Sequence, residues 1–232
     1  MDEKALHRFV TSLKESPQQN GIFNPWYGVD ESNDSSRKAP QIRRRQLIQY
    51  LEERRRSAKF LLVGEAAGYQ GAKFSGIPMT SERILLGAKK EQGLLPEHVF
   101  KGLGARRTSR ESLKQQGFSE PTATLVWDQI AKSGRSPYQF VLWNAFPWHP
   151  YDPRAGLLSN RTPTASELDT GREVLGRMLK ILHRGGRIIA LGEKAFQGLG
   201  KLGVDAYKVR HPAQGGAGKF REEFRKVLRA DG

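Results

Sequence analysis

The 232-residue sequence contains no cysteine. That excludes disulfides, thiolate-bound zinc and cysteine-ligated iron–sulfur clusters, and it suits a reducing compartment. No apolar run approaches the roughly 20 residues that a membrane-spanning helix needs. The opening residues Met1-Asp2-Glu3-Lys4-Ala5-Leu6-His7-Arg8 lack the charged, apolar and small-residue order of a secretory leader, so a cytoplasmic location with no membrane partner is expected. Also missing are an HExxH pair or other metal-ligand spacing and a Gly-x-Ser-x-Gly elbow, so neither a metal nor a serine nucleophile is expected. Acidic residues are in short supply, with 24 Asp plus Glu against 39 Lys plus Arg and a formal charge of +15. A basic excess of this size favours a polyanion, because phosphate contacts release counterions whatever the bound sequence. Nucleic acid is the expected partner. A solvated basic face, a ribosome-like role and a membrane-surface role are the alternatives.

What is present reads as one domain. Residues 3–15 form a short helix pattern, and the stretch from Pro17 to Pro40 is loop-like in composition. A basic helix follows, with Ile42, Leu47, Ile48 and Leu51 on one side and Arg43, Arg44, Arg45, Arg54, Arg55 and Arg56 around the rest. Those arginines either track phosphates or solvate an exterior helix. Phe60-Leu61-Leu62-Val63, Phe140-Val141-Leu142-Trp143 and Ile188-Ile189-Ala190-Leu191 are apolar runs of strand length, and Tyr207-Lys208-Val209 is a weaker fourth. Helical patterns lie between them. One spans Thr122 to Lys132, one opens at a Thr164-Ala165-Ser166-Glu167 capping box, and one carries Phe220, Phe224, Val227 and Leu228. The segment from Gly93 to Pro121 resists assignment and reads as a surface insertion. Alternating strands and helices predict an α/β fold, a three-layer α/β/α sandwich around a four-stranded mostly parallel sheet.

Three segments sit where a strand run ends: Gly64-Glu65-Ala66-Ala67-Gly68, Asn144 within Trp143-Asn144-Ala145-Phe146-Pro147, and His211 within Arg210-His211-Pro212-Ala213. A parallel sheet puts such ends on one edge, so a carboxylate, an amide and an imidazole can meet around one ligand. Small residues after a strand let backbone N–H groups approach a ligand, although such turns are also ordinary connections. The Gly64 segment matches neither the dinucleotide fingerprint nor the phosphate loop, which counts against both ligand classes. Asn144 offers donors and an acceptor in one plane, suited to a nucleobase edge, or else forms a turn. His211 can donate to an oxygen that gains charge, or be structural. His7 and His183 read as surface groups, and His149 is a secondary site residue.

Gly64-Glu65-Ala66-Ala67-Gly68, Gly76-Ile77-Pro78, Asn144, Asn160-Arg161-Thr162-Pro163-Thr164 and His211-Pro212 resemble, in this order, the uracil-DNA glycosylase superfamily over residues 59–228. The likeness is to the branch whose first motif reads Gly-Glu-Ala-Pro-Gly, usually iron–sulfur enzymes. Without cysteine that cluster has no ligands here, so packing fills its scaffolding role or the branch is a cluster-free one. The resemblance implies a catalytic core over residues 59–232, with residues 1–58 as helices and loop of the same domain. The implied activity is monofunctional hydrolysis of the deoxyuridine N-glycosidic bond in single- or double-stranded DNA, releasing uracil by base flipping.

Under that resemblance Glu65 activates or positions the water, and His211 stabilises the departing uracil. Gly64, Ala66, Ala67, Gly68 and Asn144 bind the base. The family's stacking aromatic is Met79 here, leaving Met79, Phe74 or Phe146 as the stacking face. Arg161, Arg210, Gln214 and Lys219 are expected at the DNA, Gln214 as a duplex wedge unless the wedge comes from elsewhere. A monomer with no cofactor is expected. The alternative is a DNA-binding or damage-recognition module on the same fold that does not cleave.

Overall fold

Runs of four apolar residues bury both faces of a strand, so they collect at the centre of a layered fold. The computed structural model describes residues 3–17, 19–102, 104–182 and 185–230, and His183 lies outside them. In chain order the elements are α1 (Glu3–Ser12), β1 (Ile22–Phe23), α2 (Ala39–Glu52), β2 (Phe60–Ala66), α3 (Ala72–Ser75), α4 (Glu82–Leu85), α5 (Pro121–Ala131), β3 (Phe140–Phe146), β4 (His149–Pro150), α6 (Ala165–Leu182), β5 (Arg187–Leu191), α7 (Glu193–Gly200), β6 (Tyr207–Val209) and α8 (Ala217–Arg229). The central sheet has the order β3-β2-β5-β6 with every pairing parallel, within a three-layer α/β/α arrangement. The strands β1 and β4 form a separate antiparallel pair.

The capping box forms as its spacing predicts. Glu167 N donates to Thr164 Oγ1 at 3.2 Å, and Thr164 N donates to the Glu167 carboxylate at 2.8 Å. From there α6 buries Val174, Leu175, Met178, Leu179 and Leu182. On α8 the four apolar residues expected at the core are buried. Leu6, Phe9 and Leu13 from the N-terminal region pack into the same hydrophobic core as the sheet.

Two expectations need correction. The first concerns the basic helix: Arg43 and Arg54 are fully buried, so they neither face solvent nor track phosphates. Arg54 donates to the carbonyls of Phe140, Tyr50, Val99 and His98 at 2.9–3.1 Å, between the rings of Tyr50 and Tyr138. Tyr50 Oη accepts from Leu142 N at 2.8 Å. Because β3 is an edge strand, α2 and the turn after it thereby satisfy backbone groups that would otherwise be an open template for another strand.

The second concerns residues 93–121, which are not merely a surface insertion. Leu94, Val99, Phe100 and Phe118 are buried, as are Thr108 and Ser109. The Glu82 carboxylate accepts from Thr108 N at 2.7 Å and Ser109 N at 3.0 Å. Arg43 bridges that segment to Asp34 and to the Pro25 carbonyl. The polar groups concerned satisfy one another inside the fold, which composition alone does not disclose.

Candidate active site

In the parallel register Gly64 of β2 stands beside Asn144 of β3, so the first two segments meet at the C-terminal edge of the sheet. The third arrives after β6. A cleft of about 430 Å³ opens there, lined by Gly64, Glu65, Ala66, Ala67, Gly68, Met79, Asn144, Arg161, His211 and Gln214 among others. Glu65, Asn144 and His211, which are 146 positions apart from first to last (211 − 65), share this one cavity.

Each side chain is held by identifiable contacts. Glu65 Oε1 lies 3.3 Å from Lys194 Nζ at the start of α7. Asn144 is 1% exposed. Its amide is satisfied when the oxygen accepts from Ala67 N and the nitrogen donates to the Trp143 carbonyl, both at 3.3 Å. One N–H and one lone pair of that amide then remain for a ligand. Ala213 N donates to His211 Nδ1 at 3.1 Å, which fixes the neutral ring with its proton on Nε2. Burial pushes His211 below the usual histidine range, against the opposing pull of Glu65, so the imidazole is neutral at neutral pH.

Gly64 is needed as glycine. A Cβ there would stand 2.9 Å from the Asn144 amide and 3.1 Å from the Met79 sulfur. Met79 itself has φ of 47° and Gln214 has φ of 52°, the only non-glycine residues with positive φ among the described residues. Both line the cleft. Strained backbone of this kind persists only where the surroundings enforce it, and it concentrates at functional sites. Next to Met79, Thr80 Oγ1 donates to the Pro78 carbonyl at 3.1 Å and accepts from Trp127 Nε1 at 3.0 Å, which pins the loop.

Not every expected residue reaches the cleft. Phe74 is fully buried and stacks on Phe118 at 4.4 Å between ring centroids, so it is core rather than a stacking face. Phe146 packs edge-on against Trp148. Of the three stacking alternatives, Met79 is the one that lines the cavity. Arg161 lines it too, but its guanidinium is already committed. Nε donates to the Tyr151 carbonyl, Nη1 to Thr162 O and Glu167 Oε2, and Nη2 to Gly21 O and Glu167 Oε1. All five donors of the fork are in use, so Arg161 braces the wall instead of reaching for a phosphate.

Arg210 and Lys219 are exposed beyond the cavity lining, with Lys219 Nζ 3.8 Å from Glu223. His149 is buried with its ring nitrogens 3.1 Å from the Ala67 carbonyl and 3.2 Å from Leu157 O, supporting the turn from outside the cavity lining. Six lining residues were not among the site residues expected from the sequence: Glu120, Thr122, Pro150, Asn160, Thr162 and Ala213. Asn160 Oδ1 accepts from Tyr69 N at 3.1 Å and so ties the first turn to the loop before α6.

A fold with its cleft at this sheet edge defines a class, and the comparisons name it. The uracil DNA glycosylase superfamily model matches residues 52–230, and the chain belongs to that superfamily. Among solved structures, the crystal structure of wild-type Pedobacter heparinus SMUG2 matches with a TM-score of 0.61 and 14% identity, covering 97% of each chain. Comparison with curated proteins returns no significant match. Membership supports a hydrolase of the DNA-glycosylase type with DNA as its partner. The iron–sulfur cluster of the Gly-Glu-Ala-Pro-Gly branch does not fit this chain, which has no cysteine to ligate it. Among the described residues no group of His, Asp and Glu is arranged to hold a metal, and no helix is long and apolar enough to cross a membrane.

Proposed function

We propose that this protein removes uracil from DNA by hydrolysing the N-glycosidic bond of deoxyuridine, as a monofunctional enzyme that leaves an abasic site. The observation that carries this reading is the convergence of Glu65, Asn144 and His211 on one cleft in a member of the superfamily. Cleaving the C–N bond builds positive charge on the sugar and negative charge on the base. The Glu65 carboxylate suits the first and orients the attacking water, with Lys194 holding it in place. Asn144 reads the base edge with its free N–H and lone pair. His211, neutral and with its proton on Nε2, donates to the base oxygen as that oxygen gains charge. Gly64, Ala66, Ala67 and Gly68 form the backbone wall, and Met79 lays its polarisable sulfur against the base. Arg210, Lys219 and Gln214 meet the DNA. The enzyme works as a cytoplasmic monomer without a metal, so chelation leaves the rate unchanged.

The test is incubation with uracil-containing oligonucleotides, single- and double-stranded, followed by alkaline cleavage at abasic sites. Wild type should convert the uracil strand. Glu65→Gln and His211→Ala should each lower the single-turnover rate by about 10²-fold or more with an unchanged melting temperature. No conversion of either substrate by wild type would refute the uracil activity. Near-wild-type rates in both variants would refute these roles while leaving the activity standing.

A further inference from the structure

Among the described residues the buried carboxylates are matched to partners, and the half-buried Glu120 at the cleft is not. Asp30 meets Lys73 at 2.7 Å, Asp34 meets Arg43, and Glu82 accepts from two backbone N–H groups. Glu120 has no such arrangement. Its Oε2 is shielded from solvent and has no hydrogen-bond partner, yet the residue lines the cleft. It is the residue that precedes α5, a position where the side chain of a Ser, Thr, Asp or Asn ordinarily caps the helix. Here the side chain makes no cap bond. The first turn of the site is shaped around it: a Cβ on Gly71 would lie 2.0 Å from Oε2, and one on Gly68 would lie 3.2 Å from Oε1. Two glycines thus clear the space that this carboxyl fills. A buried polar atom kept without a partner costs stability, so its retention calls for a reason, and at a cleft a bound ligand supplies one.

Resting on the uracil-release reading above, we propose that Glu120 is a specificity-determining residue that reads the extruded base. It sits at the Gly68 end of the turn while Asn144 sits at the Gly64 end, and it selects a base that presents a keto oxygen there. A neutral carboxyl donates one hydrogen bond, from the oxygen on the Gly68 side, to a keto oxygen of the base, leaving the single imino N–H to Asn144. An ionised carboxyl only accepts and loses the match. Burial raises Glu120 to about 7, with no neighbouring charge contributing. The other titratable or charged groups lining the cleft are Glu65, Arg161 and His211, and the Asn160 amide oxygen also stands beside Gly68.

The experiment compares wild type with Glu120→Gln, which keeps a donor and an acceptor but does not ionise. Single-turnover release of uracil from an oligonucleotide is followed from about pH 6 to about pH 8, where a group titrating near 7 loses about tenfold of its neutral form. Wild type should slow by about tenfold over that range, and Glu120→Gln should not, because His211 titrates equally in both. Matching profiles in the two proteins would overturn the assignment while leaving the activity intact. If wild type releases no base at all, the uracil reading fails instead. Free uracil titrated into both proteins, followed by amide chemical-shift changes, then decides the matter. Binding that weakens with rising pH only in wild type supports Glu120 as the reader, and identical binding refutes it.

Discussion

Arg43 and Arg54 on the α2 flank are buried to the last atom, whereas Arg210 and Lys219 beside the cleft stand in solvent. The flank spends its guanidinium groups on backbone carbonyls and on Asp34, stitching α2 to the edge strand and to residues 93–121. At the rim Arg210 stands in solvent, and Lys219 has only an exposed pairing with Glu223 at 3.8 Å. Cations stand in both regions, and burial among backbone acceptors separates them. Arg161 joins the flank by this criterion although it lies at the cleft, because its five donors are all taken. Net charge therefore describes how the molecule attracts DNA from a distance and says little about which cation touches it.

The largest break in this contrast comes from Arg43→Met. Removing one partner of a buried ion pair leaves Asp34 uncompensated and costs about 3–5 kcal/mol. In a chain of this size that lowers the melting temperature by about 10 °C. Arg45 is exposed on the same helix, and Arg45→Met should stay within about 0.5 kcal/mol. Thermal melts of the two variants check the pair. Equal, small shifts would return Arg43 to the solvated arginines.

That contrast also marks where the chain could be read and where it could not. The strands β2, β3 and β5 announce themselves as apolar runs, and their alternation with helices points to a parallel sheet. The three terminal segments could be placed together because a parallel sheet leaves them no other edge. Arg43 and Arg54 could not be read, since arginine in a basic helix gives no sign of the carbonyls that will enclose it. Phe74 failed for a related reason: aromatic density looks alike in a stacking face and a core. Glu120 lies 52 positions past Gly68 (120 − 68), in the segment that resisted assignment, and belongs to no motif. The one available signal was Glu120-Pro121, a helix start whose capping residue is not among the favoured Ser, Thr, Asp and Asn.

A second contrast crosses the wall of the cleft. His211 lines the cavity, while His149 is sealed against the Ala67 carbonyl outside it, and burial pushes His149 down to about 4. Unfolding exposes this ring at an ordinary value near 6.5, so below that pH the unfolded chain binds a proton that the folded one refuses. Stability from His149 is complete above about pH 6.5 and is lost as pH falls toward 4. Between about pH 7 and about pH 5 the loss comes to about 2 kcal/mol. Urea unfolding at the two pH values should show this loss in wild type and a smaller one in His149→Gln. An equal slope in both would place the acid sensitivity elsewhere.

The smallest effect is the one that separates brace from phosphate contact at the rim. Arg210→Ala and Lys219→Ala should each reduce the slope of log K against log salt for duplex binding by about 0.9, the share of one phosphate. Arg161→Ala should leave that slope unchanged and instead lower the melting temperature. Its loss strips Glu167 of the two guanidinium bonds that hold it beside Thr164 at the start of α6. Anisotropy titrations across a salt series read the first quantity, and calorimetry reads the second. A reduced slope in Arg161→Ala would mean that its fork leaves Glu167 for a phosphate when DNA binds, and the division between flank and rim would no longer hold at the cleft.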